Sequence, residues 1–133
     1  MRQDVHLGYV RLNGEEHRDT LSAAYNYANL LSGLKRFEEA KSLLRITLPV
    51  ARRVLGESDN ITLIMRWLCG DMLYKDDSAT LGDLREAVET FESIVPLYKR
   101  IFGVLHPEMP KVQGGLKGAR AALVFASSGS ASS

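Results

Sequence analysis

Residues 14–56 read GEEHRDTLSAAYNYANLLSGLKRFEEAKSLLRITLPVARRVLG, and the glycine that ends this stretch begins another much like it. Gly14 and Gly56 lie 42 positions apart, and at that offset Thr20-Leu21 falls on Thr62-Leu63. The next glycine in this context is Gly103, 47 positions on, with five extra residues placed in the loop-like stretch YKDDSATLGDL (74–84). Allowing for them, Glu39-Ala40 matches Glu86-Ala87, Leu48-Pro49 matches Val95-Pro96, Arg52 matches Lys99, and Val54-Leu55-Gly56 matches Ile101-Phe102-Gly103. A third unit opens as GVLHPEMPKV (103–112), and GYVRLNG (8–14) echoes ARRVLG (51–56). Repeats of 20 to 50 residues mark stacked architectures, in which no unit can hide its apolar face alone.

Each unit reads as two helices. In the first, Leu21, Ala24, Tyr25, Ala28 and Leu31 recur at helical spacing, with Leu30 widening the stripe. Asp19 or Thr20 is the expected N-cap, and Gly33 with Lys35-Arg36 the expected close. The second helix carries Phe37, Ala40, Leu43, Leu44, Thr47, Leu48, Ala51 and Leu55. Glu38-Glu39 in its first turn and Arg52-Arg53 in its last both suit the helix dipole, and Gly56 stops it. Pro49 and Pro96 sit at equivalent places inside these patterns and predict a bend there. No run of alternating residues is long enough to predict a sheet.

The 133 residues suffice for one modest core or a few repeats. Seventeen basic residues against sixteen acidic ones leave a net charge of +1, which lacks the basic excess of a nucleic-acid binder. No long apolar run predicts a leader, an anchor or a membrane span. Cys69 is the single cysteine, which predicts a reducing, cytoplasmic setting.

The segment NYANLLSGLKRFEEAKSLLRITL (26–48) resembles the tetratricopeptide repeat in its kinesin-light-chain-like form. The residues carrying the likeness are Leu55-Gly56 and Phe102-Gly103 at the unit start, His106-Pro107, Thr20-Leu21 and Thr62-Leu63, Asn26 and Ala28, and Phe37, Glu39 and Ala40. The likeness covers roughly residues 12 to 112. It implies an all-α solenoid of antiparallel helix pairs wound into a right-handed superhelix, with about two full repeats plus partial flanking units. Small residues at Ala28, Ala40, Gly70 and Ala87 would let paired helices approach closely. HEAT and armadillo repeats share the period, but the Glu-Ala placement and the Leu-Gly boundary favour the tetratricopeptide pattern. There are departures. Arg66 stands where an apolar residue is usual, the second helix–helix loop is five residues long by excess, and the third unit's first helix holds Pro110, Gly114, Gly115 and Gly118, as a worn capping unit would. No heptad coiled coil of the kind that joins a motor heavy chain is seen.

The expected organisation is therefore the end of a preceding partial repeat in 1–13, repeat 1 in 14–56, repeat 2 in 57–103, a partial third repeat or capping helix in 104–125, and a disordered Ser/Gly tail in 126–133. The resemblance places a partner-binding groove on the first helices, at Tyr25, Asn26, Asn29 and Ser32 in the first unit and at Ile64, Trp67, Asp71, Tyr74 and Lys75 in the second. Asn26 and Asn29 lie three apart, and each amide can donate to and accept from an extended peptide. Trp67 and Tyr74 offer large rigid contact area or, alternatively, pack between helices.

Chemistry has little support. His6, His17 and His106 show no metal-ligand spacing, and Cys69 has no partnering Cys or His nearby in sequence, so no metal, cofactor or catalytic residue is expected. Glu15-Glu16, Glu38-Glu39 and Asp76-Asp77 read as loop or helix-start charges, and GGLKG lacks phosphate-loop spacing. The function expected is a non-catalytic scaffold or adaptor holding a peptide segment of a protein partner, without nucleic acid or membrane. The alternatives are a piece of a longer solenoid, a homo-oligomer stacked through exposed end repeats, and, least supported, an enzyme centred on Cys69.

Overall fold

In a computed structural model, residues 13–132 are described, with side chains over 18–128. They form five α-helices and no strand: α1 (Asn13–Gly33), α2 (Phe37–Leu55), α3 (Asn60–Lys75), α4 (Leu81–Phe102) and α5 (Met109–Ser132). This is the all-α helical-repeat fold that the resemblance implies. The chain divides into two compact units, Met1–Thr62 and Leu63–Ser133. The partial repeat expected in 1–13 lies outside the described residues except for Asn13, which opens α1.

In the first unit α1 packs on α2. Leu21, Ala28 and Leu31 of α1 and Ala40, Leu44 and Ala51 of α2 are buried. The helix begins earlier than the expected cap at Asp19 or Thr20, which both sit inside it. The reason is local: EEHRD contains residues that continue a helix as readily as they cap one. The close also differs. Gly33 is the last helical residue, and the left-handed position belongs to Lys35 (φ 63°). The Arg36 N–H donates to the Leu31 carbonyl (2.8 Å) and the Lys35 N–H to that of Ser32 (2.9 Å), a Schellman close. α2 then runs to Gly56, whose φ of 93° is open to glycine at little cost. The Ala51 carbonyl accepts both the Gly56 N–H (3.2 Å) and the Thr62 hydroxyl (3.3 Å). Asp59 Oδ1 accepts the Ile61 N–H (2.9 Å) and so caps α3.

In the second unit α3 packs against α4 and α5. Phe91, fully buried on α4, stands edge-on to Trp67 (ring centroids 6.5 Å) and Tyr74 (6.0 Å) of α3. A Cβ on Gly70 would lie 2.9 Å from the Phe91 ring, so only glycine fits there without displacement. The insertion between α3 and α4 is not all loop. The linker spans 76–80 against 34–36 in the first pair, so two of the five extra residues lengthen the loop and three extend α4 at its start. Asp76 Oδ1 accepts the N–H and hydroxyl of Ser78 (3.0 and 2.8 Å). Thr80 and Asp83 then form a reciprocal capping box. Arg66, the odd residue on α3, donates to the Ser93 hydroxyl on α4 (2.8 Å).

Pro49 and Pro96 lie within continuous helices at exposed positions. The carbonyls four residues earlier lose an intrahelical donor there, which water can replace. Gly103 closes α4 as Gly56 closes α2 (φ 85°). α5 is one helix of 24 residues despite its glycines, and it runs through the segment expected as a Ser/Gly tail. Propagation adds a hydrogen bond for each residue fixed, so weak formers can extend a helix already nucleated.

Candidate functional site

The candidate residues fall into two clusters, one in each unit. On α1, Asn26 and Asn29 are exposed, and Tyr25 and Ser32 are half-buried. The helical spacing turns both amides outward, where each has donors and an acceptor to offer an extended chain.

On α3 the candidates separate. Ile64 is half-buried and Lys75 exposed, as a contact surface requires. Trp67 is 7% exposed and Tyr74 half-buried, and both are engaged by the unit's own helices. A Cβ on Gly115 would lie 2.6 Å from Phe91 and 3.0 Å from Trp67 Nε1, and one on Gly118 would lie 2.7 Å from the Tyr74 hydroxyl. The glycines that weaken α5 locally are thus what lets it close over these rings. Lys111 of α5 stands 4.5 Å above the Trp67 ring centroid, a cation–π contact. Trp67 Nε1–H is buried with no hydrogen-bond partner. Trp67 therefore serves chiefly as core.

Asp71 is 6% exposed and pairs with Lys75 one turn on (Oδ1 to Nζ, 3.1 Å). Burial nevertheless raises its carboxyl above the usual range of 3.8, outweighing the opposing pull of Lys75 and Lys111. Burial, with the Asp71 charge added, also raises the Tyr74 hydroxyl. Lys75 thus meets a carboxylate of its own helix, the role that a partner's acid would otherwise fill.

The sequence reading passed over Lys111 and gave His106 no structural part. Lys111 carries no motif, and its place over Trp67 follows from α5 alone. His106, named above for the His106-Pro107 likeness, accepts the Glu108 N–H at Nδ1 (3.0 Å) and stacks edge-on to Tyr98 (5.4 Å). It orders the turn into α5, and its companion pattern His-Pro was the signal available. His17 lies outside the described side chains. Cys69 is half-buried on α3. Among the described residues no group of three His, Cys, Asp or Glu is placed to hold a metal ion. None of the described helices is long and apolar enough to cross a membrane.

Compared with known families, residues 20–60 match the family described as Tetratricopeptide repeat. The matched span covers most of α1 and all of α2, ending on Asn60 at the start of α3. Repeats of this family generally mediate protein–protein interaction and are typically non-enzymatic scaffolds. No curated protein and no solved structure gives a significant match to the chain.

Proposed function

We propose that the chain is a non-catalytic scaffold or adaptor module that binds an extended segment of a protein partner. The observation that carries this reading is the exposed pair Asn26 and Asn29 on the first helix of the matched tetratricopeptide repeat. Backbone amides of a bound segment need partners that can both donate and accept, and these two side chains supply them at a spacing that faces one way. The 42-residue spacing of Gly14 and Gly56 supports the kinesin-light-chain-like variety of the repeat, and the single cysteine supports a cytoplasmic setting.

The test is affinity capture followed by cross-linking, comparing the wild-type chain with an Asn26→Ala, Asn29→Ala variant. The expected result is loss of the captured partner with far-ultraviolet dichroism unchanged. Capture at undiminished yield by the folded variant would overturn the reading. Trp67→Ala is unsuitable here, because its burial makes it a stability probe.

A further inference from the structure

Both repeats end in the same turn, but with different side chains in it. Asp59 and His106 lie 47 positions apart and are equivalent in the register. The Asp59 N–H donates to the Gly56 carbonyl (3.4 Å), and the His106 N–H donates to that of Gly103 (3.3 Å). Each side chain then accepts the N–H two residues on. Asp59 Oδ1 takes that of Ile61 (2.9 Å), and His106 Nδ1 takes that of Glu108 (3.0 Å). The acceptors differ in one respect. A carboxylate keeps its lone pairs at neutral and mildly acidic pH, whereas an imidazole nitrogen loses its lone pair when it takes a proton. His106 is half-buried between α4 and α5, edge-on to Tyr98 and with the Phe102 ring centroid 5.2 Å away. The Tyr98 hydroxyl lies 3.5 Å from the same Nδ1. One nitrogen thus faces a group that only donates, the Glu108 N–H, and a hydroxyl that can donate or accept.

From this arrangement we infer that His106 is a pH-sensitive switch on the entry to α5. With the ring neutral, Nδ1 accepts the Glu108 N–H and the turn is held. With the ring protonated, Nδ1 carries a hydrogen from solvent and becomes a donor. It then donates to the Tyr98 oxygen, and the Glu108 N–H is left to water. The charged and titratable groups around the ring permit this exchange. Tyr98 keeps its proton, since burial, with the Glu108 charge added, raises its hydroxyl above the ordinary 10.0. The Glu108 carboxylate draws an imidazolium, but Lys111 Nζ already stands 3.9 Å from it, and both side chains are about half exposed, so water and salt screen the pull. The positive end of α5 repels the imidazolium. What the switch moves follows from the next residues. Met109 and Val112 are buried, and Lys111 lies over the Trp67 ring. Releasing the turn loosens this first turn of α5 and uncovers Trp67. The Asp59 turn has no such response. The switch goes beyond the peptide-binding role and stands without it.

The experiment titrates the whole chain from about pH 8 to about pH 5, the range in which histidine changes charge. Three signals are followed: the His106 ring nitrogen shifts by NMR, the Glu108 amide exchange rate corrected for its intrinsic pH dependence, and the emission of Trp67, the single tryptophan. As the ring takes its proton, protection of the Glu108 amide is expected to fall roughly 2- to 10-fold, the worth of one hydrogen bond. Trp67 emission is expected to move to the red with the same midpoint, while the Ile61 amide holds level. His106→Asp, which copies Asp59, and His106→Asn, which keeps an acceptor at every pH, are each expected to abolish both changes with dichroism unchanged. His6→Gln with His17→Gln is expected to leave them in place. A Glu108 amide that stays protected while the ring titrates overturns the inference, and so does a ring that takes no proton in this range. A transition that survives His106→Asp, or one lost with His6 and His17, overturns it as well.

Discussion

The two units solve one packing problem with different volumes. Where the first buries Ala28 on its first helix and Leu44 on its second, the second unit buries Gly70 and Phe91 at the equivalent places. The larger ring on α4 is matched by the missing methyl on α3, and Gly115 on α5 makes the same allowance from the other side. Two turns on, the first unit buries Ala51 and the second Tyr98. At the Ala28–Leu44 and Gly70–Phe91 layer the repeat thus keeps summed volume rather than residue type, whereas at the Ala51 and Tyr98 layer the volumes differ.

The largest test of that contrast is Phe91→Ala. The ring is fully buried and meets both α3 and α5, so its removal should cost about 3–5 kcal/mol in chemical denaturation. Next comes the volume exchange itself. Gly70→Ala alone places a methyl 2.9 Å from the ring and should destabilise by about 1–3 kcal/mol. Gly70→Ala with Phe91→Leu copies the first unit's pair and should be more stable than the sum of the single changes. A strictly additive double-mutant cycle would show that the two residues do not share one space.

The turn residues sharpen the comparison at smaller scale. Gly56 and Lys35 both hold positive φ, but only one of them is glycine. Gly56→Ala should cost about 1–3 kcal/mol through backbone strain, since no neighbour blocks the methyl. Lys35→Gly should stabilise by about 0.5–1 kcal/mol, because a Cβ at left-handed φ is disfavoured. A destabilising Lys35→Gly would show that the lysine side chain makes a contact worth more than its strain.

What could be read from the sequence was whatever the repeat states twice: the helix pairs, the closing glycines Gly56 and Gly103, and the small residues Ala28, Ala40, Gly70 and Ala87, all buried. What could not be read was decided by α5. Gly115 and Gly118 each cost about 1 kcal/mol as helix formers and so argue against a helix locally. Their reason is contact with rings distant in sequence, Phe91 and Trp67 for Gly115 and Tyr74 for Gly118. Trp67 and Tyr74 were ambiguous for the same cause: an aromatic at helical spacing looks alike whether it faces a partner or a neighbouring helix. The start of α1 was missed because Asp19 and Thr20 serve equally as caps and as helical residues. Lys35 was missed because nothing in its identity announces a left-handed turn.

The smallest effect concerns Asn29 and its equivalent in the second unit, Asp71, one exposed and the other buried. The Asp71 carboxyl is raised in the folded chain, so the folded state holds that proton more tightly than the unfolded one. Below the ordinary value of 3.8 both states are protonated and the group costs nothing. As pH rises through 3.8 and on to the raised value, the unfolded state ionises first and stability falls; above that window the loss is complete. Asp71→Asn copies the first unit's residue and removes the titration. It should therefore melt slightly higher than wild type at pH 7, by about 1 kcal/mol or less, with the advantage gone at pH 3. Were the ion pair with Lys75 the stronger influence, the order at pH 7 would reverse, since Asp71→Asn would then lose an attraction and gain nothing from relief of burial.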